Sequence, residues 1–169
     1  MKALVVYSTL TGNTKKVAEA VAKAFPEGTE CVRIQDAPAP DGYDVIALGF
    51  WVDKGHADDT AAEYMKKITG KKIFTFFTLG AYPDGEHAKK CAASAGPFYG
   101  EGNTDLGIWW CQGAIDPKLI EMMKKMPAGG PHSPTPEALK RWDDASHHPD
   151  AADLEAATAA AKKAVEGLF

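Results

Sequence analysis

The chain has 169 residues, of which 45% are hydrophobic and 25% charged, and its formal net charge is −4. This composition is typical of a globular protein, and the length suits a single domain covering residues 1–169. Seventeen lysines but only two arginines argue against a nucleic-acid partner, because such proteins usually use arginine to contact bases. No apolar run approaches the roughly 18 residues of a membrane span, so we expect no membrane partner.

Three cysteines without a C-x-x-C pair indicate neither a disulfide framework nor a zinc site. A reduced, cytoplasmic setting is the simplest interpretation. The apolar run at the N-terminus is short and lacks a small-residue cleavage site, so we interpret it as a strand and not as a signal peptide.

Short apolar segments alternate with segments of helical spacing, which is typical of an α/β fold with a parallel sheet. The continuous apolar runs predict strands that are buried on both faces, whereas residues 29–34 alternate as an edge strand does. Strands are predicted at residues 3–7, 29–34, 45–50, 73–77 and 106–111, with helices around 17–25, 57–69 and 84–95.

The connection at residues 35–43 is short for a parallel crossover, which usually needs about a dozen residues or more. It has nine residues, and the ends of the flanking strands could supply the rest. We therefore expect a parallel strand at 29–34 and keep an antiparallel one as the alternative.

The chain continues beyond the fifth strand into further helices. Asp116 followed by Pro117 predicts a capped helix start, with Leu119, Ile120, Met122 and Met123 on its buried side. Residues 127–136 contain four prolines and two glycines, which predicts a loop. Helices at about 136–147 and 150–167 follow. We expect residues 127–169 to pack on the core, because Trp142 and the apolar stripe Leu154, Ala157, Ala161, Val165 and Leu168 would otherwise be exposed.

The segment between the first strand and the first helix is rich in hydrogen-bonding groups. It consists of Ser8, Thr9, Leu10, Thr11, Gly12, Asn13 and Thr14. Such side chains, together with the free N–H groups of a helix N-terminus, can bind a phosphate without a fixed positive charge. The alternative is a helix start capped by Thr11 or Asn13. Neither a Walker A loop nor a G-x-G-x-x-G dinucleotide motif is present.

The first predicted strand, followed by S-T-L-T-G-N-T-K-K-V-A, resembles the phosphate loop of the flavodoxin family, and the resemblance covers about residues 2–126. It implies a doubly wound, five-stranded parallel sheet of order 2-1-3-4-5, with extra C-terminal helices at 127–169. It also implies FMN as the cofactor, with its phosphate on residues 8–14. The flavin contacts implied by position are Phe50, Trp51 and Val52 after the third strand, Thr78, Leu79, Gly80 and Tyr82 after the fourth, and Cys111 and Gln112 after the fifth.

Trp51 and Tyr82 are expected to flank the flavin ring, because both follow strands that are neighbours in this order. Cys111 has the alternative of a buried, small hydrophobic residue. The acidic residues Asp53, Asp58 and Asp59 are interpreted as part of a solvated turn and helix start, with an influence on the flavin potential as the alternative. Three histidines, His132, His147 and His148, have no metal-ligand spacing, so no metal is expected.

The function that follows is an FMN-binding electron carrier, a monomer or homodimer, with an unidentified redox partner protein. An FMN-dependent oxidoreductase that uses NAD(P)H to reduce a quinone or another small molecule is the alternative. A flavin-free signalling module is the third possibility, although Phe50 and Trp51 stand where a phosphoreceiver needs an acid.

Overall fold

The computed structural model describes all residues from 1 to 169. Five parallel strands form the main sheet in the order β2-β1-β3-β5-β6, and a short strand β4 pairs antiparallel with the end of β3. The expected order 2-1-3-4-5 is therefore confirmed once this small hairpin is set aside. The strands are β1 (Ala3–Tyr7), β2 (Glu30–Arg33), β3 (Val45–Asp53), β4 (His56–Ala57), β5 (Lys72–Leu79) and β6 (Thr104–Gln112).

Strand β2 runs parallel to β1, so the antiparallel alternative for residues 29–34 is wrong. The chain crosses from β2 to β3 without an α-helix, through two single 3₁₀ turns at Ile34–Asp36 and Pro40–Gly42. A crossover of this kind needs fewer residues than a helical one, which explains how the short connection suffices.

Six helices cover the sheet or extend from its edge. They are α1 (Asn13–Ala22), α2 (Asp59–Met65), α3 (Glu86–Ala95), α4 (Pro117–Lys124), α5 (Pro136–Ala145) and α6 (Ala151–Ala164). One core joins the sheet to α1 and α6, and a second core on the opposite face joins it to α2 and α3. None of the helices has the length and apolar character that crossing a membrane requires.

Helix α6 packs against α1 through the predicted apolar stripe. Ala157, Ala161 and Val165 belong to the same buried cluster as Val17 of α1. The hydroxyl of Thr158 also donates a hydrogen bond to the carbonyl of Ala20, at 2.8 Å. The last helix thus completes the layer on one face of the sheet.

Residues 113–150, which we call the α4–α5 segment, leave the sheet after β6 and return to almost the same place. Its two ends are joined by a hydrogen bond from the Ala114 N–H to the His148 carbonyl, at 2.9 Å. Inside the segment, Met123 of α4 packs on Ala138 and Trp142 of α5. The segment therefore has a small core of its own.

The prediction for the buried side of α4 is only partly right. Met123 is buried and Ile120 is half-buried, but Leu119 and Met122 are 43% and 62% exposed. The reason is that α4 does not lie on the sheet. It packs on α5, so only one strip of its apolar surface is covered.

Candidate functional site

A cavity of about 580 Å³ opens at the edge of the sheet where the parallel strands end. The strand register places these ends side by side, with Tyr7 opposite Gly49, Trp51 opposite Thr78, and Leu79 opposite Gln112. Loops that follow four different strands therefore meet at one place, as the rule for open α/β sheets requires. Eleven of the sixteen site residues expected from the sequence line this cavity: Thr9, Leu10, Thr11, Asn13, Thr14, Trp51, Val52, Thr78, Leu79, Gly80 and Tyr82.

The N-terminus of α1 faces this cavity without a side-chain cap. The N-cap residue is Gly12, whose φ of 99° lies in the left-handed region that favours glycine. No side chain accepts a hydrogen bond from the first turn of α1, so the alternative of a helix start capped by Thr11 or Asn13 is wrong. The N–H groups of Asn13, Thr14 and Lys15 have no acceptor within the chain and are left for a ligand.

The loop before α1 is held in place by its other hydrogen bonds. The Gly12 N–H donates to the hydroxyl of Thr9 at 3.0 Å, and the Asn13 amide donates to the carbonyl of Ala114 at 2.8 Å. A side chain at Gly113 would crowd Asn13, since its Cβ would lie 3.0 Å from the Asn13 side-chain nitrogen and Asn13 would have to shift slightly. These contacts fix the loop against the beginning of the α4–α5 segment.

Two aromatic side chains stand at the cavity on neighbouring strands. Trp51 is half-buried and lies in the part of β3 that continues beyond its predicted end, before the chain reverses at Lys54 and Gly55 into β4. Tyr82 is 37% exposed, and its hydroxyl donates a 2.7 Å hydrogen bond to Asp144 of α5. Neither ring belongs to the aromatic stack of the core, which joins Phe50, Phe77 and Trp110.

Asp58 connects the loop after β1 with the loop after β3. It is 3% exposed and accepts hydrogen bonds from the hydroxyl of Ser8 at 2.7 Å, from the N–H of Ala61 at 3.1 Å and, at 3.4 Å, from the N–H of Trp51. Burial raises the pKa of its carboxyl group, while these hydrogen bonds favour the ionised form and oppose the rise. The sequence suggested that Asp58 is part of a solvated turn, and the burial of its side chain shows that this interpretation is wrong.

Five of the expected site residues do not line the cavity. Phe50 is fully buried and stacks on Phe77 in the core, so its side chain contributes to stability and not to a ligand contact. The Ser8 hydroxyl donates its hydrogen bond to Asp58, and Gly12 occupies the N-cap position of α1. Gln112 is buried and donates to the carbonyl of Gly80, which fixes the loop after β5.

Cys111 is the fifth of these residues, and its alternative role as a small buried residue agrees with its place in the core. Its side chain is 3% exposed. Burial, followed by the charges of Asp153 and Asp150, raises the pKa of the thiol well above its usual range. The group therefore stays protonated at neutral pH and is not a nucleophile.

None of the residues that the α4–α5 segment contributes to the cavity is among the site residues expected from the sequence. Its lining residues include Ile115, Asp116, Leu119, Met123, Pro131, His132, Arg141 and Trp142. The proline-rich loop and the helix spacing gave no sign of which side faces the strand ends. One available signal was Arg141, since one of only two arginines stands there next to a tryptophan.

The three histidines considered for a metal site are not brought together. His132 lines the main cavity, whereas His147 and His148 line a separate groove. His148 lies 2.6 Å from Asp153, whose other hydrogen bonds form the capping box of α6 with Asp150. The two acidic residues next to His148, Asp150 and Asp153, therefore form the N-terminal cap of α6.

A doubly wound sheet whose strand-end loops present an uncapped helix N-terminus and two aromatic rings defines a protein of the flavodoxin type. The protein-family model described as "Flavodoxin domain" matches residues 4–162 of the chain. The chain belongs to the flavodoxin domain family, which confirms the resemblance seen in the sequence. The match also extends over most of residues 127–169, beyond the point at which that resemblance ended.

Two curated relatives illustrate the range of similarity. The chain is 31% identical over 167 residues to the flavodoxin-like domain-containing protein BilS of Clostridioides difficile, covering 96% of this chain and 95% of that protein. It is 34% identical over 99 residues to a flavodoxin of Aquifex aeolicus, covering 50% of this chain and 53% of that protein.

Solved structures show the same fold. Oxidised flavodoxin 2 from Bacillus cereus matches with a TM-score of 0.57 at 16% identity, covering 98% of this chain and 99% of that one. Two-electron-reduced Megasphaera elsdenii flavodoxin matches with a TM-score of 0.50 at 23% identity, covering 95% and 98%. At these identities the likeness concerns the fold alone.

Proposed function

We propose that this protein binds FMN in the strand-end cavity and carries electrons to or from a redox partner protein. The observation that carries the proposal is the N-terminus of α1, which has no side-chain cap and three N–H groups without an acceptor in the chain, and whose residues Asn13 and Thr14 line the cavity. Aromatic side chains line the cavity on the neighbouring strands. Membership of the flavodoxin domain family supports FMN as the cofactor, as the sequence led us to expect.

The groups around the α1 N-terminus fit a phosphate. They are neutral hydroxyls and backbone N–H groups at the positive end of a helix dipole, and no acidic residue lies in the first turn of α1. Thr11 is exposed to the cavity, while Thr14 is buried and its hydroxyl lies 2.9 Å from that of Thr78. We assign Thr11 and the N–H groups to the phosphate, and Thr14 to support of the loop.

The ring system is assigned to the space between Trp51 and Tyr82. Phosphate binding after β1 directs the rest of the cofactor across β3 and β5, whose end loops carry these two residues. FMN supplies the redox chemistry when it is bound, and the chain's own residues orient it and exclude water. Stacking on each aromatic face adds about 0.5–1.5 kcal/mol to binding.

Membership of the flavodoxin domain family favours electron transfer to a partner protein over a self-contained enzyme. The thiol of Cys111 is buried outside the cavity lining, and its pKa is raised. The three cysteines are free, in keeping with the cytoplasmic location that stays a prediction. The alternative, an NAD(P)H-dependent oxidoreductase acting on a small molecule, is favoured by one observation: the α4–α5 segment extends the cavity beyond the strand ends.

Titration of the flavin-free protein with FMN and with riboflavin tests the proposal. Riboflavin has the same ring but no phosphate, so we expect it to bind at least about tenfold more weakly, because it forgoes charge-assisted hydrogen bonds at α1. Equal affinity for both would refute the phosphate assignment. Rapid oxidation of NAD(P)H with a quinone, in the absence of any other protein, would favour the alternative over the carrier.

A further inference from the structure

The cavity contains a part that the proposed FMN contacts do not account for. The strand-end loops line one side, and the α4–α5 segment lines the other with Leu119, Met123 and Trp142. These three side chains are apolar, and Trp142 is held by its packing on Met123 and Ala138. Arg141 and His132 are the basic residues on this side of the cavity.

Arg141 is half-buried and takes part in none of the ion pairs or side-chain hydrogen bonds of the chain. The carboxylate one turn further along α5, Asp144, accepts hydrogen bonds from Lys140 at 2.8 Å and from Tyr82 at 2.7 Å. An arginine that lines a mostly apolar cavity without a carboxylate partner retains its capacity to bind an anion.

The acidic residues that line the cavity, Glu86 and Asp116, also have hydrogen-bond partners. Glu86 pairs with Lys89 at 3.2 Å, and the Asp116 carboxylate accepts the hydrogen bond from the N–H of Lys118 that begins α4. Arg141 is thus the arginine of the cavity lining, and neither of these acidic residues forms an ion pair with its guanidinium group.

Arg141 lies one helical turn before Asp144, whose carboxylate accepts the hydrogen bond from Tyr82, so this part of α5 lies against the loop after β5. The hydrogen bond to Asp144 raises the pKa of the Tyr82 hydroxyl, and the positive charges of Lys140 and Arg141 oppose that rise. Because Tyr82 is assigned to the flavin ring and is bonded to the same helix, an anion on Arg141 is placed on the ring side of the cavity.

We propose that the α4–α5 side of the cavity is a binding site for a second small molecule, a planar and largely apolar carboxylate or a similar organic anion. Arg141 holds its anionic group in a bidentate pair, and Trp142, Leu119 and Met123 contact its apolar body. This inference rests on the proposed function, since bound FMN completes the wall on the strand side.

The test uses the FMN-loaded protein with oxidised flavin and two probes of the same shape. They are 2-naphthoate, which is an anion, and 2-naphthamide, which is neutral. Binding is followed by calorimetry and by the change in the flavin absorbance spectrum. We expect naphthoate to bind at least about tenfold more tightly than the amide, because the pair with arginine is charge-assisted.

Two arginine variants give a matched comparison. Arg141→Gln should make the affinities for the two probes equal and leave the FMN affinity unchanged. Arg33→Gln removes the same charge from β2, outside the cavity, and should leave both probe affinities as they are in the wild-type protein. Arg141→Lys should restore part of the preference for naphthoate, because the charge returns without the bidentate geometry.

The results that would overturn the inference differ from those that would overturn the proposed function. If naphthoate and the amide bind the wild-type protein equally, or do not bind, the second site is refuted while FMN binding stands. If Arg141→Gln weakens FMN but not riboflavin, Arg141 binds the FMN phosphate and the inference is wrong. A protein that binds no FMN refutes the proposed function and this inference together.

Discussion

Replacement of Thr11 by valine tests the phosphate contact at a single hydroxyl group. Thr11 is exposed, lines the cavity, and has one intrachain hydrogen bond, a 3.3 Å contact from the amide of Asn13. Valine has nearly the same shape, so the loop should keep its conformation. A hydrogen bond to a charged group contributes about 1.5–3 kcal/mol, so the dissociation constant for FMN should rise by about 10–100-fold.

The measurement is quenching of flavin fluorescence as the flavin-free protein binds FMN, with riboflavin titrated in parallel. Riboflavin affinity should stay the same, because the lost hydroxyl has no phosphate to contact. Thr60→Val is the control, since Thr60 is an exposed threonine in the first turn of α2 and does not line the cavity. If Thr11→Val leaves FMN affinity unchanged, or weakens both flavins equally, the phosphate lies elsewhere.

Two further predictions concern the residues around the ring. Trp51→Ala should weaken FMN binding by about tenfold or more and restore flavin fluorescence, because a stacked indole quenches it; unchanged brightness and affinity would place the ring elsewhere. Asp58 has a raised pKa in the folded protein, so the stability it contributes is present below its ordinary pKa of 3.8 and is lost as the pH rises through the raised value. The free energy of unfolding of the wild type, measured in urea relative to Asp58→Asn, should therefore fall as the pH rises from 3.8 through the raised pKa. A difference between the two proteins that stays constant or grows would contradict a raised pKa for Asp58.

The strand-end loops could be predicted from the sequence because each depends on local information. A continuous apolar run such as residues 3–7 predicts a strand buried on both faces, and the hydroxyl-rich segment after it predicts a ligand loop. The parallel order then brings the loops after β1, β3 and β5 to one edge. The resemblance to the flavodoxin family, together with this strand order, predicts Trp51 and Tyr82 at this edge, and both line the cavity.

The features that the sequence did not reveal depend on distant contacts or on backbone angles. Asp58 looked like one acid among several in a charged turn, and its burial follows from Ser8, which is 50 residues away along the chain. The position of Gly12 at the start of α1, where it leaves the helix without a side-chain cap, depends on a left-handed φ that composition does not encode. Leu119 and Met122 have helical spacing, yet α4 packs on α5 and leaves them exposed.

The two parts of the cavity wall are attached to the fold in different ways, and this separates their functions. The strand side is built by loops that follow four strands of the sheet. The α4–α5 segment is joined to the strand side by hydrogen bonds from two loops, from Asn13 to the Ala114 carbonyl and from Tyr82 to Asp144. Its helices pack mainly on each other, and Arg141 and Trp142 face the cavity from there. On the proposed assignments, we expect substitutions in the segment to change what binds beside the flavin, while the strand-end loops hold the cofactor.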